Sequence, residues 1–294
     1  MQLRTLILSA SVLLGACAAP ASNDSGLDLD ADFLTADIWN DGQAEVAFYQ
    51  IKRSRDQYGR EREQSFLAGT YLVKHDFDRA TASKATSQAA NPVSAFKYAL
   101  FYEFESRSYE YKRSWVANLA QADLSPIKAS FSSFDWCSNQ YREFSFDGNG
   151  RVDHLYRSDD YGNASESWRV GGGVFPASAI PVLVRAIQRP VSFSVLTHHG
   201  SVVAVQATSV QDEAWGDSLR ATRIELAYSA PVPSMIGEES ALSETWIRGT
   251  GPARVILAMR SGDDRYRMDL VEHLRSPYWE EDLYTKLKVV RARP

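Results

Sequence analysis

The sequence predicts a mainly β protein: one large curved antiparallel sheet, half-barrel or barrel-like, with one short covering helix. Three observations carry this expectation. Short β-type runs alternate with turn residues through the body of the chain. Neighbouring runs are joined by tight turns, which antiparallel strands can use and parallel strands cannot. One window, 176–190, repeats apolar residues at helical spacing instead.

The chain opens with Arg4, an apolar run from Leu6 to Leu14, and then Leu14-Gly15-Ala16-Cys17 followed by Ala18 and Ala19. That order of charge, apolar run and small residues reads as a secretory signal peptide over 1–16, with ordinary cleavage after Ala18 as the alternative, since Ala16-Cys17-Ala18 also fits a small-x-small site. The run is far shorter than the roughly 20 residues a permanent membrane helix needs, and no comparable stretch follows, so no transmembrane domain is expected. Residues 18–32, AAPASNDSGLDLDAD, are small, polar and acidic, and read with Cys17 as a flexible tether over 17–32. A single β-rich domain is expected over 33–294, with 79–95, RATASKATSQAANPVSA, as a long loop or a seam between two lobes.

Four hairpins are legible. EVAFYQIK (45–52) faces FLAGTYLV (66–73) across a bridge centred on Tyr58-Gly59, and YREFSFD (141–147) turns at Gly148-Asn149-Gly150 into RVDHLYR. VSFSVLTH (191–198) turns near His199-Gly200 into SVVAVQATS, and ARVILAMR (253–260) turns at Ser261-Gly262-Asp263-Asp264 into RYRMDLVEHL. In that last strand Tyr266, Met268, Leu270 and Leu274 share a face, as a strand with one buried side requires. In 176–190 Ile180, Leu183, Val184 and Ile187 form an apolar stripe; Pro181 suits a first helical turn and Pro190 stops the helix. Such a helix is expected to lie against one face or end of the sheet.

Composition sets aside several classes. With 44% hydrophobic, 23% charged and 12% aromatic residues the chain is globular. Its 32 Lys and Arg against 37 Asp and Glu, net charge -5, give no concentrated basic face for nucleic acid. Two cysteines, Cys17 and Cys137, cannot build a cysteine-cluster metal site. No nucleophile elbow, zincin motif, phosphate loop or dinucleotide fingerprint occurs. Gly171-Gly172-Gly173 lacks the lysine and serine of a phosphate loop, and Asp147–Asp153 lacks the ligand pattern of a calcium loop. His198-His199, read as extended, would point to opposite faces and so could not grip one ion. No metal and no cofactor is expected.

Two segments hold the candidate site. FKYALFYEFESRSYEYKRSW (96–115) carries Tyr98, Tyr102, Tyr109, Tyr111 and Trp115, which serve either a core hairpin or an aromatic groove for an apolar ligand. FSSFDWCSNQYREFSF (131–146), read as extended, puts Phe134, Trp136, Phe144 and Phe146 on one parity and Asp135, Cys137, Tyr141 and Glu143 on the other. Cys137 could be a nucleophile, but neighbouring carboxylates raise a thiol pKa and no histidine is near in sequence, which favours a small residue packed at a strand edge. The basic residues Lys52, Arg53, Arg55, Arg60 and Arg62 around Tyr58-Gly59 could meet anionic headgroups or form a solvated, internally paired loop.

Leu14-Gly15-Ala16-Cys17 resembles the bacterial lipobox, which implies a diacylglyceryl thioether on Cys17 and anchoring to a membrane through the N-terminal lipid. Ala18 after the cysteine goes, in that family, with the outer membrane, the body facing the periplasm. Trp39, Gly42, Ala44 and Glu45, then Tyr58, Gly59 and Arg62, then Trp136 and Cys137 resemble motifs of a group of uncharacterised bacterial envelope lipoproteins. The resemblance covers about a seventh of the chain and brings no activity; it singles out Arg62, Trp136 and Cys137. The reading is therefore a lipid-anchored periplasmic lipoprotein that binds an apolar ligand or an envelope partner without chemistry. An envelope hydrolase or thiol enzyme using Cys137, and a structural envelope protein, are the alternatives.

Overall fold

The computed structural model describes residues 27–56, 60–89, 92–106, 109–135, 138–216, 219–236 and 239–291. The expected signal peptide, Cys17 and most of the expected tether lie outside the described residues, as do Tyr58-Gly59 and Trp136-Cys137. The strands of the first half are β1 (Ala44–Asp56), β2 (Glu61–Asp78), β3 (Ser83–Lys84), β4 (Pro92–Ser106), β5 (Tyr109–Ala120), β6 (Pro126–Phe134), β7 (Asn139–Phe146), β8 (Arg151–Ser158) and β9 (Gly162–Arg169). Those of the second are β10 (Val174–Pro176), β11 (Val191–Leu196), β12 (Val202–Trp215), β13 (Leu219–Pro233), β14 (Ser240–Gly249), β15 (Ile256–Ser261) and β16 (Tyr266–Ser276). Three α-helices join them: α1 (Ala31–Thr35), α2 (Ile180–Ala186) and α3 (Leu283–Arg291).

All sixteen strands belong to one sheet, ordered β10-β11-β12-β13-β14-β15-β16-β1-β2-β4-β5-β6-β7-β8-β9, with β3 beside β2. Each pairing is antiparallel except β10 with β11. The sheet is barrel-like but not closed, because the edge strands β9 and β10 are not paired to each other. They are joined in sequence through Gly171-Gly172-Gly173, and side chains bridge the gap: Val174 and Leu196 pack with Phe144, Phe146 and Val152. All four predicted hairpins are present as β1–β2, β7–β8, β11–β12 and β15–β16.

Turn chemistry explains the tightest of them. Asp147 Oδ1 accepts from the backbone N–H of Asn149 (2.6 Å) and Arg151 (3.0 Å), which makes this segment a turn and not a cation loop. Gly150 sits at φ 83°, and a Cβ there would come 2.8 Å from the carbonyl oxygen of Val170. Residues 79–91 are an excursion inside the β2–β4 hairpin, since β2 pairs directly with β4 and β3 folds back on Phe77 and Asp78. Of the segment 79–95, read as a long loop or a seam, residues 92–95 belong to β4.

Alternation sorts the sheet into two apolar layers. On β4, Phe96, Tyr98, Leu100, Tyr102 and Phe104 face the lumen, while Phe101 faces outwards against Leu283 and Leu287 of α3. Phe101 lies flat on Gly69, where any Cβ would meet its ring at 2.3 Å. The covering helix is thus α3. Asp282 starts it by accepting from the N–H of Tyr284 (3.0 Å) and Thr285 (3.2 Å).

The predicted helix forms and packs against the inner, concave face of the sheet, with every residue of α2 buried. An apolar stripe is insufficient to describe it: Val182 and Ala186 on its other side also pack, as expected of a helix surrounded by protein. It ends at Ala186, before the predicted stop at Pro190, because Ile187 bridges to Leu29 in extended form. Its one charged residue, Arg185, pairs with Glu45 of β1 at 2.6 Å, both side chains 1% exposed. The helix's last carbonyls, which have no partner within the helix, accept from Arg248 (Val184, 2.7 Å), Arg254 (Arg185, 3.2 Å) and the Asp30 N–H (Ala186, 2.8 Å).

The tether also ends earlier than expected. Asp30 is buried, caps α1 through the Asp32 N–H (2.9 Å) and ion-pairs with Arg254, so the folded body begins by Leu29. Beyond it Trp39 meets Phe33 and Phe96 edge-on and the two phenylalanines tilt against each other, with ring centroids 5.2–5.9 Å apart, closing one end of the lumen.

Candidate functional site

The opposite end, where the β1–β2, β4–β5 and β15–β16 turns lie, brings together Arg53, Tyr111, Trp115 and the His198-His199 pair from among the residues read in the sequence. Three inward arginines line it, each from a different strand. Arg53 of β1 stands 4.7 Å from the Phe104 ring and 5.3 Å from Phe66, and donates to Gln64 Oε1 at 2.9 and 2.7 Å. Arg113 of β5 lies 5.1 Å from Phe104 and 5.9 Å from Tyr111 and donates to Ser133 (3.3 Å). Arg142 of β7 sits 4.0 Å over Tyr156 and donates to the His198 carbonyl at 2.8 Å. Alternating guanidinium and aromatic planes make a stiff belt, each stack worth about 0.5–2 kcal/mol.

His198 and His199 complete the belt. β11 ends at Leu196, so the pair occupies a turn, and the two rings stand 3.8 Å apart instead of on opposite faces. His198 packs edge-on to Trp115 (5.0 Å) and beside Phe131 (5.7 Å). Burial first, then His199, Arg142 and Arg113, push His198 down to about 3; burial and Arg142 lower His199 as well. Both rings are neutral at neutral pH. Among the described residues no group of three His, Cys, Asp or Glu could hold a metal ion.

Neutral burial of His198 has a testable consequence. The unfolded chain binds its proton below about pH 6.5, and the folded state does not until about pH 3. Stability is therefore expected to fall on acidification through that window, by up to about 1.4 kcal/mol per pH unit from this one proton. His198→Phe removes that slope, measured as urea midpoints at pH 4 to 7. An unchanged slope would show that other groups carry the acid response.

The aromatic candidates do not line a groove. Tyr98 and Tyr102 are core residues, and the Tyr102 hydroxyl donates to the Met235 carbonyl (3.0 Å) on a segment folded across the lumen. Tyr111 stacks on Phe104 (5.1 Å, 11°), and Trp115 is 5% exposed. Between Tyr98, Leu100, Met235, Trp246 and Met268 remains a cavity of about 20 Å³, room for about one water. The expected apolar ligand does not fit there, because α2 and 232–236 already occupy the space.

No family model matches the chain, and no curated protein matches it. The chain is similar to one solved beta-barrel-like protein. That crystal structure, of a domain of unknown function, DUF1849, from Brucella abortus, is 11% identical, covers 79% of this chain and 98% of its own, and has a TM-score of 0.42.

The remaining candidates are scattered. Arg62 is exposed on β2 with its Cα opposite Arg55, and the Tyr109 side chain lies outside the described residues. Trp136 and Cys137 are outside them too, but their neighbours are fixed: Asp135 is buried and accepts from the Ser138 N–H at 2.8 Å. Phe134 is 62% exposed and does not share the buried face of Phe144 and Phe146, because its Cα lies opposite Asn139, whose neighbours of the same parity, Tyr141 and Glu143, point away from the lumen. Two arrangements went unseen in the sequence. Glu244 is buried beneath three donors, Tyr228, Trp246 and Tyr266, and Lys52 lies in line with Arg267 and Arg260.

Proposed function

We propose that the protein is a lipid-anchored envelope lipoprotein that works through its outer surface and rims, as a scaffold for an envelope partner, and not as a carrier of apolar ligands. The observation that carries this is the filled lumen: a fully buried helix and the 232–236 segment leave about 20 Å³ where a carrier would need hundreds. The lipobox-like Leu14-Gly15-Ala16-Cys17 supports the anchor. Among the described residues no helix is long and apolar enough to cross a membrane.

Native mass spectrometry of the protein extracted gently from membranes tests both parts. The expected spectrum has a diacylglyceryl mass that disappears in Cys17→Ser, and no further bound lipid. A stoichiometric non-covalent lipid adduct would overturn the scaffold reading, and an unacylated start at Ala19 would overturn the anchor.

A further inference from the structure

The pairing of β16 with both β15 and β1 brings three cations into line on the outer face of the sheet. Arg260 lies directly opposite Arg267, and Arg267 directly opposite Lys52. Their sequence neighbours Met259, Met268 and Ile51 are buried in the lumen, so alternation turns all three outwards. Directly paired residues stand about 4.5–5.5 Å apart at Cβ, and like charges so placed destabilise a sheet.

Nearby carboxylates offset only part of the cost. Arg267 has Asp269 at 3.5 Å and Arg265 has Asp263 at 3.8 Å, both exposed and so worth little. Among the described residues no carboxylate comes within ion-pair distance of Lys52 or Arg260. Glu61 is engaged by the Ser54 hydroxyl. The ladder opens on a basin of about 670 Å³, which Arg265, Glu61, Glu63 and Asp264 also line. Those carboxylates would repel a long polyanion, whereas a compact dianion could sit between the cations. Guanidinium forks match phosphate oxygens in pairs, and a lysine adds a point charge.

We propose that the Arg260–Arg267–Lys52 ladder binds a compact phosphate ester, whether a phospholipid headgroup or a free phosphorylated solute. The inference is independent of the scaffold reading and of acylation. It is tested on the full chain carrying Cys17→Ser, so that no acyl group contributes. Two probes are used: glycerol 3-phosphate in thermal unfolding, and co-sedimentation with phosphatidylcholine vesicles with and without phosphatidylglycerol.

The parent is expected to gain several degrees in Tm with millimolar glycerol 3-phosphate, a gain that shrinks as salt rises. The triple variant Lys52→Ser, Arg260→Ser, Arg267→Ser is expected to bind about tenfold more weakly or worse, while its ligand-free Tm stays level or rises because the repulsion is gone. Arg260→Ser alone, at the exposed end, gives a partial loss. A control of equal charge change, Arg151→Ser, Arg169→Ser, Arg189→Ser, keeps the response. Binding of phosphatidylglycerol vesicles without a response to the solute assigns the site to a membrane surface; a response to the solute assigns it to a free phosphate ester. A parent that answers neither probe, a control that loses binding equally, or a triple variant that only loses stability would overturn the proposal.

Discussion

Glu45→Gln is expected to cost the fold about 3–5 kcal/mol, because it strands a guanidinium in the middle of the lumen. Arg185 and Glu45 meet at 2.6 Å with 1% exposure on each side. Burial works against the Arg185 charge, but Glu45 outweighs it and holds the guanidinium ionised. Its other hydrogen bond is a long one to the Ala253 carbonyl (3.4 Å), and its Nε has no hydrogen-bond partner among the described residues. With the carboxylate gone, Tyr49 and Tyr98 remain as neighbours, both phenols pushed well above their ordinary value by burial and so neutral. The double change Glu45→Gln with Arg185→Met is expected to be more stable than Glu45→Gln alone, since removing both charges removes the unpaired one. Urea midpoints of the singles and the double decide it. A Glu45→Gln variant within 1 kcal/mol of the parent would mean that water reaches Arg185.

That pair also shows why the sequence revealed some parts of the fold and not others. The hairpin at 147–150 is written locally, in Asp147 and two glycines, and needs no information from elsewhere. The closing contact of the two halves, β16 against β1, joins Ala44 to Ser276 and has no local signature. Read alone, Arg185 marks a wet face of an amphipathic helix; its partner lies 140 residues away, and only the curling of the open sheet around it makes the helix internal. For the same reason the Lys52, Arg267 and Arg260 row was invisible, since it is a property of register between distant strands. The aromatic run 96–104 was legible as either core or groove, and the choice turned on what fills the lumen, again a non-local fact. Other misses were local. Asp282 with Leu283, Leu287 and Val290 carries a readable helix signature at the C-terminal end, and the His198-His199 pair went to opposite faces only on the assumption that β11 continues past Leu196.

Glu244 carries the second large effect. It is fully enclosed, and its oxygens accept from the Tyr228 hydroxyl (2.7 Å), the Trp246 indole N–H (2.8 Å) and the Tyr266 hydroxyl (2.8 Å), tying β13, β14 and β16 together inside the lumen. Glu244→Leu strands three buried donors at about 1–3 kcal/mol each, so a loss of about 3–6 kcal/mol is expected. Glu244→Gln keeps one carbonyl oxygen for the Tyr228 and Trp246 donors, and the Tyr266 hydroxyl can rotate to accept from the new amide. Its cost should be small, and its sign should depend on pH. Burial raises the Glu244 pKa against the three hydrogen bonds that lower it. Above the ordinary value of about 4.5 the unfolded chain releases a proton that the folded state still holds. Stability due to this group is therefore present below that value and is lost as pH rises towards the folded pKa, opposite in direction to the His198 contribution. Relative to the parent, Glu244→Gln should gain stability as pH climbs from 5 to 8, while Glu244→Leu stays destabilised throughout. If Glu244→Gln instead loses ground with rising pH, the carboxylate is held ionised by its three donors, and the network stabilises the charge it was expected to suppress.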